Sequence, residues 1–188
     1  MLEEKGLDNE AIEKELRSRL AGDINFDSGN ILGSMCTRPH PLGVSVFTRY
    51  IEKNAGDPGL VADTVALEEE TIGIIGSMLS LPRGAAGYIV TGGTEANILA
   101  LWTARKRAGK KDPEVILPDS AHFSFDKAAD LLGLRLRKIP STPDSGIDIK
   151  EVRKALKGNT TSIVGVAGTT SLGKVDPIDK ISKITLEK

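Results

Sequence analysis

Three short segments carry side chains whose types and spacing suit chemistry. The first is Gly92-Gly93-Thr94, which follows the apolar run Tyr88-Ile89-Val90 and leads straight into a helical pattern. A helix starting there leaves free N–H groups and the positive end of its dipole facing outward, and the Thr94 hydroxyl adds a donor. That combination suits a phosphate group; the competing reading is that Gly92 and Gly93 only turn a tight strand-to-helix corner. The pattern is neither GxGxxG nor GxxxxGK followed by Ser or Thr, so neither a dinucleotide nor a nucleoside triphosphate is indicated. The second segment, Pro118-Asp119-Ser120-Ala121-His122, ends on a histidine whose ring could stack on an aromatic ligand or exchange a proton near neutral pH. A surface or capping role is its plain alternative. The third, Gly168-Thr169-Thr170-Ser171, offers hydroxyls at the end of the most apolar strand candidate, or a hydrogen-bonded turn.

Other candidates fare less well. Ser34 and Ser120 lack a GxSxG elbow, and Cys36 reads as a small apolar filler. Two histidines and one cysteine are too few for the usual structural zinc sites, and no metal site is expected. His40, between Pro39 and Pro41, is either a rigid loop residue or part of a substrate pocket.

The elements that must position these groups follow from periodicity. Residues 9–21 place Ile12, Leu16 and Leu20 four apart, which predicts a short amphipathic helix on a surface arm. Helices are also expected over 44–53 and 63–80, the latter with Leu67, Ile74, Ile75, Met78 and Leu79 on one face. From residue 87 the pattern becomes strand, helix, strand, helix. The expected strands are 87–91, 115–117, 134–139 and 162–168, and a helix follows each. Gly133 suits a C-terminal cap, and the helix beginning DIKEV carries an N-cap aspartate. Such alternation predicts an α/β fold with a parallel sheet, whose ligands collect at the carboxyl ends of the strands.

Composition narrows the function classes. The 188 residues hold 25 Lys and Arg against 26 Asp and Glu, a net charge of −1. No basic field exists to hold nucleic acid. No apolar run approaches the roughly 18 residues of a membrane span. The acidic start, MLEEKGLDNEAIEKEL, lacks the basic and apolar regions of a signal peptide, and a cytoplasmic location is expected. One cysteine excludes an intrachain disulfide.

Several blocks resemble a known family. GSMCTRPHP (33–41), GDPGL (56–60), TGGTEANILA (91–100), PDSAHFSFDKAADLLG (118–133) and VGVAGTTSLGKVDPIDKIS (164–182) look like archaeal members of the group II pyridoxal-phosphate-dependent decarboxylases. Within that group they are most similar to the L-tyrosine/L-aspartate decarboxylases. The resemblance implies an N-terminal helical arm and substrate or dimer segment over 1–60, followed by part of the parallel-sheet large domain of an aminotransferase-like (fold type I) enzyme over 61–188. It implies pyridoxal 5′-phosphate as cofactor, with its phosphate at Gly92, Gly93 and Thr94 and its ring stacked on His122, the expected catalytic residue. Thr169 or Thr170 lies near the ring, and the segment around Pro39 and His40 shapes the substrate pocket.

In the family, a later strand carries an aspartate that pairs with the pyridine nitrogen, and a later His-Lys pair anchors the cofactor covalently. Neither motif occurs in these 188 residues. The expectation is an N-terminal portion of a decarboxylase, inactive alone. It would act on an amino-acid substrate, as a homodimer in the intact enzyme or by pairing with the remaining half. Alternatives are a non-catalytic or split-gene pairing subunit and a related carbon–carbon lyase.

Overall fold

The computed structural model describes residues 6–31, 36–57, 59–142, 146–171 and 173–187, and the chain divides into two units between Lys53 and Asn54. Ser34 and parts of the 33–41, 56–60 and 164–182 blocks lie outside the described residues. No helix among the described residues is long and apolar enough to cross a membrane.

The N-terminal unit holds helix α1 (Asn9–Arg19), a single 3-10 turn at Phe26–Ser28 and helix α2 (Pro41–Arg49). Asp8 caps α1 by accepting the Ala11 N–H at 2.8 Å, and Glu15 pairs with Arg19 one turn on. Helix α2 starts earlier than its periodicity suggests. Pro41 supplies a ready-made first-turn φ, and His40 Nδ1 accepts the Leu42 N–H at 3.2 Å. The expected stripe Ile12, Leu16, Leu20 is present but 41–59% exposed, because the described residues of this unit offer no layer for it to pack on.

The second unit opens with helix α3 (Ala62–Met78), whose expected apolar face is likewise exposed. Its core is built around strand β1 (Glu114–Pro118), every residue of which is buried. The other ladder strands are β2 (Arg135–Ile139) and, after the short antiparallel pair β3 (Ser141–Thr142) and β4 (Gly146–Ile147), strand β5 (Thr160–Ile163). The sheet is parallel with order β2-β1-β5, and Ile116 lies opposite Arg137 on one side and Ile163 on the other. The helices alternate with it: α4 (Gly93–Ala108), α5 (Ser124–Leu132), α6 (Ile149–Ala155) and α7 (Ile178–Leu186). Alternation along β1 splits the core. Val115 joins Leu101, Ala128, Ala129 and Leu134, while Ile116 joins Ile139, Ile147, Val152, Ile181 and Ile184. Helices α4 and α5 therefore cover one face and α6 and α7 the other.

Local chemistry sets the element ends. Gly133 caps α5 at φ 60°, and Asp148 caps α6 by accepting the Lys150 N–H at 2.7 Å. Gly165 lets α7 close on the sheet, because a Cβ there would lie 2.7 Å from Ile178 and 2.8 Å from Ile181. The one polar group inside β1, Glu114, is held by the Arg137 guanidinium at 3.2 Å.

One strand expectation is corrected. Residues 87–91 form no ladder, since no strand among the described residues pairs with them, and a strand without a neighbour has no partner for its backbone. Carboxylates substitute: the Ile89 N–H donates to Glu68 at 3.0 Å and the Thr91 N–H to Glu95 at 2.9 Å. The 162–168 strand is also shifted, its ladder covering 160–163. Between the expected strand at 134–139 and the DIKEV helix lies the β3–β4 pair.

If β1 is the centre of the core, Ile116→Ala should cost about 2–5 kcal/mol in urea denaturation. Leu67→Ala on exposed α3 should stay within about 0.5 kcal/mol. Equal losses would contradict this placement of the core.

Candidate functional site

The corner at 91–94 owes its shape to how α4 begins. The first intrahelical bond runs from the Ala96 N–H to the Gly92 carbonyl at 3.0 Å, so the N–H groups of Gly93, Thr94 and Glu95 have no intrahelical acceptor. No side chain caps this end. Glu95 turns back instead to Thr91, accepting its N–H at 2.9 Å and its hydroxyl at 2.5 Å. These bonds, the hydroxyl first, hold the Glu95 carboxyl below the usual carboxylate range, against a small opposing effect of burial. The acid is thereby occupied two residues before the helix starts, and the three free donors remain available.

The glycines bear on the two sequence readings. Gly92 is extended, at φ 168° and ψ 175°, a conformation any residue adopts, so the turn itself does not call for glycine. A Cβ at Gly92 or Gly93 would meet nothing within 4 Å. Open space over unpaired N–H groups is what a phosphate needs, and a pyridoxal phosphate fits this donor set. Thr94 is half-buried beside it.

His122 is half-buried at the carboxyl end of β1. Its Nδ1 accepts the Ser124 N–H at 3.2 Å, which puts the proton of the neutral ring on Nε2. The Phe123 ring lies against it, centroids 4.2 Å apart and tilted by 35°. A link joins this loop to the corner: Asn97, three residues after Thr94 on the same helix face, donates to the buried Ser124 hydroxyl at 2.8 Å. Neither Asn97 nor Ser124 was singled out from sequence; the three-residue spacing from Thr94 was the available signal.

The loop after β5 distinguishes its two threonines. Thr169 is buried, and its hydroxyl accepts the Lys174 N–H at 3.1 Å, closing the loop on itself. Thr170 is exposed. Pro39 and His40 belong to the N-terminal unit, where both are exposed and His40 caps α2. Cys36 is exposed rather than the core filler expected.

Residues 42–188 match the pyridoxal-dependent decarboxylase conserved domain. The chain is 52% identical over 165 residues to a probable L-tyrosine/L-aspartate decarboxylase of Methanothermobacter thermautotrophicus, covering 88% of this chain and 45% of that protein. It is 46% identical over 187 residues to the L-aspartate decarboxylase of Thermococcus kodakarensis, covering all of this chain and 48% of the relative. A solved sphingosine-1-phosphate lyase of Burkholderia pseudomallei superposes with a TM-score of 0.85 at 29% identity, covering all of this chain and 46% of that one. The glutamate decarboxylase of Lactobacillus brevis shares the fold at a TM-score of 0.80 and 18% identity, with 45% of its chain covered. The chain thus spans about half the length of the relatives it matches. The match over residues 42–188, carried on an α/β unit with a parallel sheet, places this chain in the pyridoxal-dependent decarboxylase family.

Proposed function

We propose that the whole protein is a pyridoxal 5′-phosphate-dependent amino-acid decarboxylase, acting on L-tyrosine, L-aspartate or both, with release of carbon dioxide. The carrying observation is the uncapped start of α4, tied to the His122 loop by the Asn97–Ser124 bond. When bound, the cofactor withdraws electrons from the carbon that loses carbon dioxide. This segment's own residues would do the holding. The N–H groups of Gly93 and Thr94, with the Thr94 hydroxyl, bind the phosphate across the space left by Gly92. His122 lays its ring face against the cofactor, its orientation fixed by the Ser124 N–H and its Nε2 proton free to serve the reacting carboxylate. Exposed Thr170 is assigned to the cofactor side, while buried Thr169 shapes the loop.

Pro39 and His40 are assigned to the substrate side. The exposed apolar residues of α2 and α3, among them Phe47 (68% exposed) and Met78 (80%), are read as surfaces the whole protein buries, in a homodimer. A carbon–carbon lyase is the second reading, supported by the 29% identity to the solved lyase; the higher identities to decarboxylases favour the first.

Thr94→Ala should weaken pyridoxal 5′-phosphate binding by about 1–2 kcal/mol, roughly five- to thirty-fold in calorimetric titration. An unchanged affinity would remove Thr94 from the site. The 188-residue polypeptide by itself should release no carbon dioxide from L-tyrosine or L-aspartate beyond a no-protein control, and measurable release would contradict placing the covalent anchor outside this segment. For Glu95 the folded value is depressed, so the Thr91–Glu95 clasp is complete above the ordinary carboxylate range and is lost as pH falls through the lowered value. A carboxyl carbon NMR titration should place Glu95 below the ordinary glutamate midpoint, with Thr91→Val moving it back up. Identical midpoints in the two proteins would sink the clasp.

A further inference from the structure

Two loops of the proposed site, the His122 loop after β1 and the Thr169–Thr170 loop after β5, are each bonded to the same small element, the β3–β4 pair. At its first end, Asp119 accepts both the N–H (3.0 Å) and the hydroxyl (2.6 Å) of Ser141, and the Ser141 hydroxyl lies 3.0 Å from that of Ser120. The Ser141 hydroxyl lowers the Asp119 carboxyl below its usual range, against an opposing effect of desolvation, in keeping with a bond to the ionised form. Asp119 and Ser120 belong to the segment that ends on His122.

At the other end, the buried Asp176 uses both carboxylate oxygens. Oδ1 accepts the Ile147 N–H at 2.8 Å and Oδ2 accepts the Val166 N–H at 2.7 Å, while the Asp176 N–H returns to the Val166 carbonyl at 2.9 Å. Between Val166 and Asp176 the chain is folded by three further bonds: Thr169 N–H to Lys174 carbonyl at 2.8 Å, Gly173 N–H to Thr169 carbonyl at 2.8 Å, and Lys174 N–H to the Thr169 hydroxyl at 3.1 Å. Gly146 sits against this carboxylate at φ +69°, where a Cβ would collide with Asp176. A side chain is therefore excluded twice, by backbone conformation and by contact. Ile147 itself is fully buried in the core face shared with Ile116 and Ile181, which anchors the element between its two ends.

We propose that the β3–β4 pair is a positioning strap that fixes the His122 loop relative to the Thr169–Thr170 loop, with Asp176 and the Asp119–Ser141 pair as its positioning residues. The inference deepens the cofactor reading and rests on it for its purpose. Its mechanics do not. Asn at position 176 keeps the size but has only one acceptor oxygen, so one of the two amides must lose its partner.

The test uses the 188-residue chain with no cofactor added. In Asp176→Asn, hydrogen exchange at the 166–175 amides should quicken about tenfold while that of Val115–Leu117 stays unchanged. The imidazole cross-peaks of His122 should move as well, with those of His40 as the internal reference. In the milder Ser141→Ala, the amide peaks of Thr169 and Thr170 should move in return. Faster exchange at 166–175 with His122 unmoved, or Ser141→Ala leaving Thr169 and Thr170 in place, would overturn the strap. If Asp176→Asn does not fold, Ser141→Ala decides alone by the same criterion. Failure to bind pyridoxal 5′-phosphate overturns the functional reading and leaves these outcomes untouched.

Discussion

The burial of β1 on both faces is the constraint from which the rest of residues 93–187 follows. A central parallel strand cannot display polar side chains along its length, so its chemistry is pushed to its ends. At the amino end Glu114 survives only because Arg137 reaches it across the ladder. At the carboxyl end the backbone is released into Asp119, Ser120 and His122. The two halves of the core, one gathered on Val115 and one on Ile116, seat α4 and α5 on one face and α6 and α7 on the other, and the Asn97–Ser124 bond ties the first turn of α4 to the His122 loop.

The start of α4, the proposed phosphate site, shows how donors can be left unmet without strain. A helix terminus needs acceptors for its first N–H groups, and natural sequences usually supply a Ser, Thr, Asp or Asn cap. Here the cap position is glycine, and the nearby acid is turned away to Thr91. The unmet donors are the favourable term in anion binding, supplemented by the helix dipole. Asn97 and Ser124 then transmit the position of this end to the next loop through a bond between side chains, one of them buried.

Much of this was legible from residue order. Capping chemistry located α5 and α6, with Gly133 and Asp148 in their expected roles, while the apolar run at 115–117 and the alternation over 134–139 located β1 and β2. Apolar periodicity proved a weaker guide to burial. Ile12, Leu16 and Leu20, and the α3 residues Leu67 and Met78, lie at helical spacing yet stay exposed, because periodicity records a face and not what covers it. The 87–91 run failed for the related reason that strand pairing is non-local: Val90 and its neighbours suit a ladder, and no ladder partner is available among the described residues. Gly92, Gly93, Thr94 and His122 stood out because their local sequence carries their geometry. Asp176 and Ser141 did not, since their importance lies in bonds to Ile147 and Asp119, 29 and 22 residues away. The two-residue strands they hold are too short to have a period.

The central claim is that the free start of α4 holds the cofactor phosphate while the adjoining loop meets its ring. The most direct measurement is an amide and imidazole NMR titration of the isotopically labelled 188-residue chain with pyridoxal 5′-phosphate, repeated with pyridoxal. The account predicts saturable shifts at Gly93, Thr94 and Glu95 together with His122 for the phosphorylated compound, and loss of the Gly93–Glu95 response for pyridoxal. Shifts confined to other residues, or identical responses to both compounds, would contradict it.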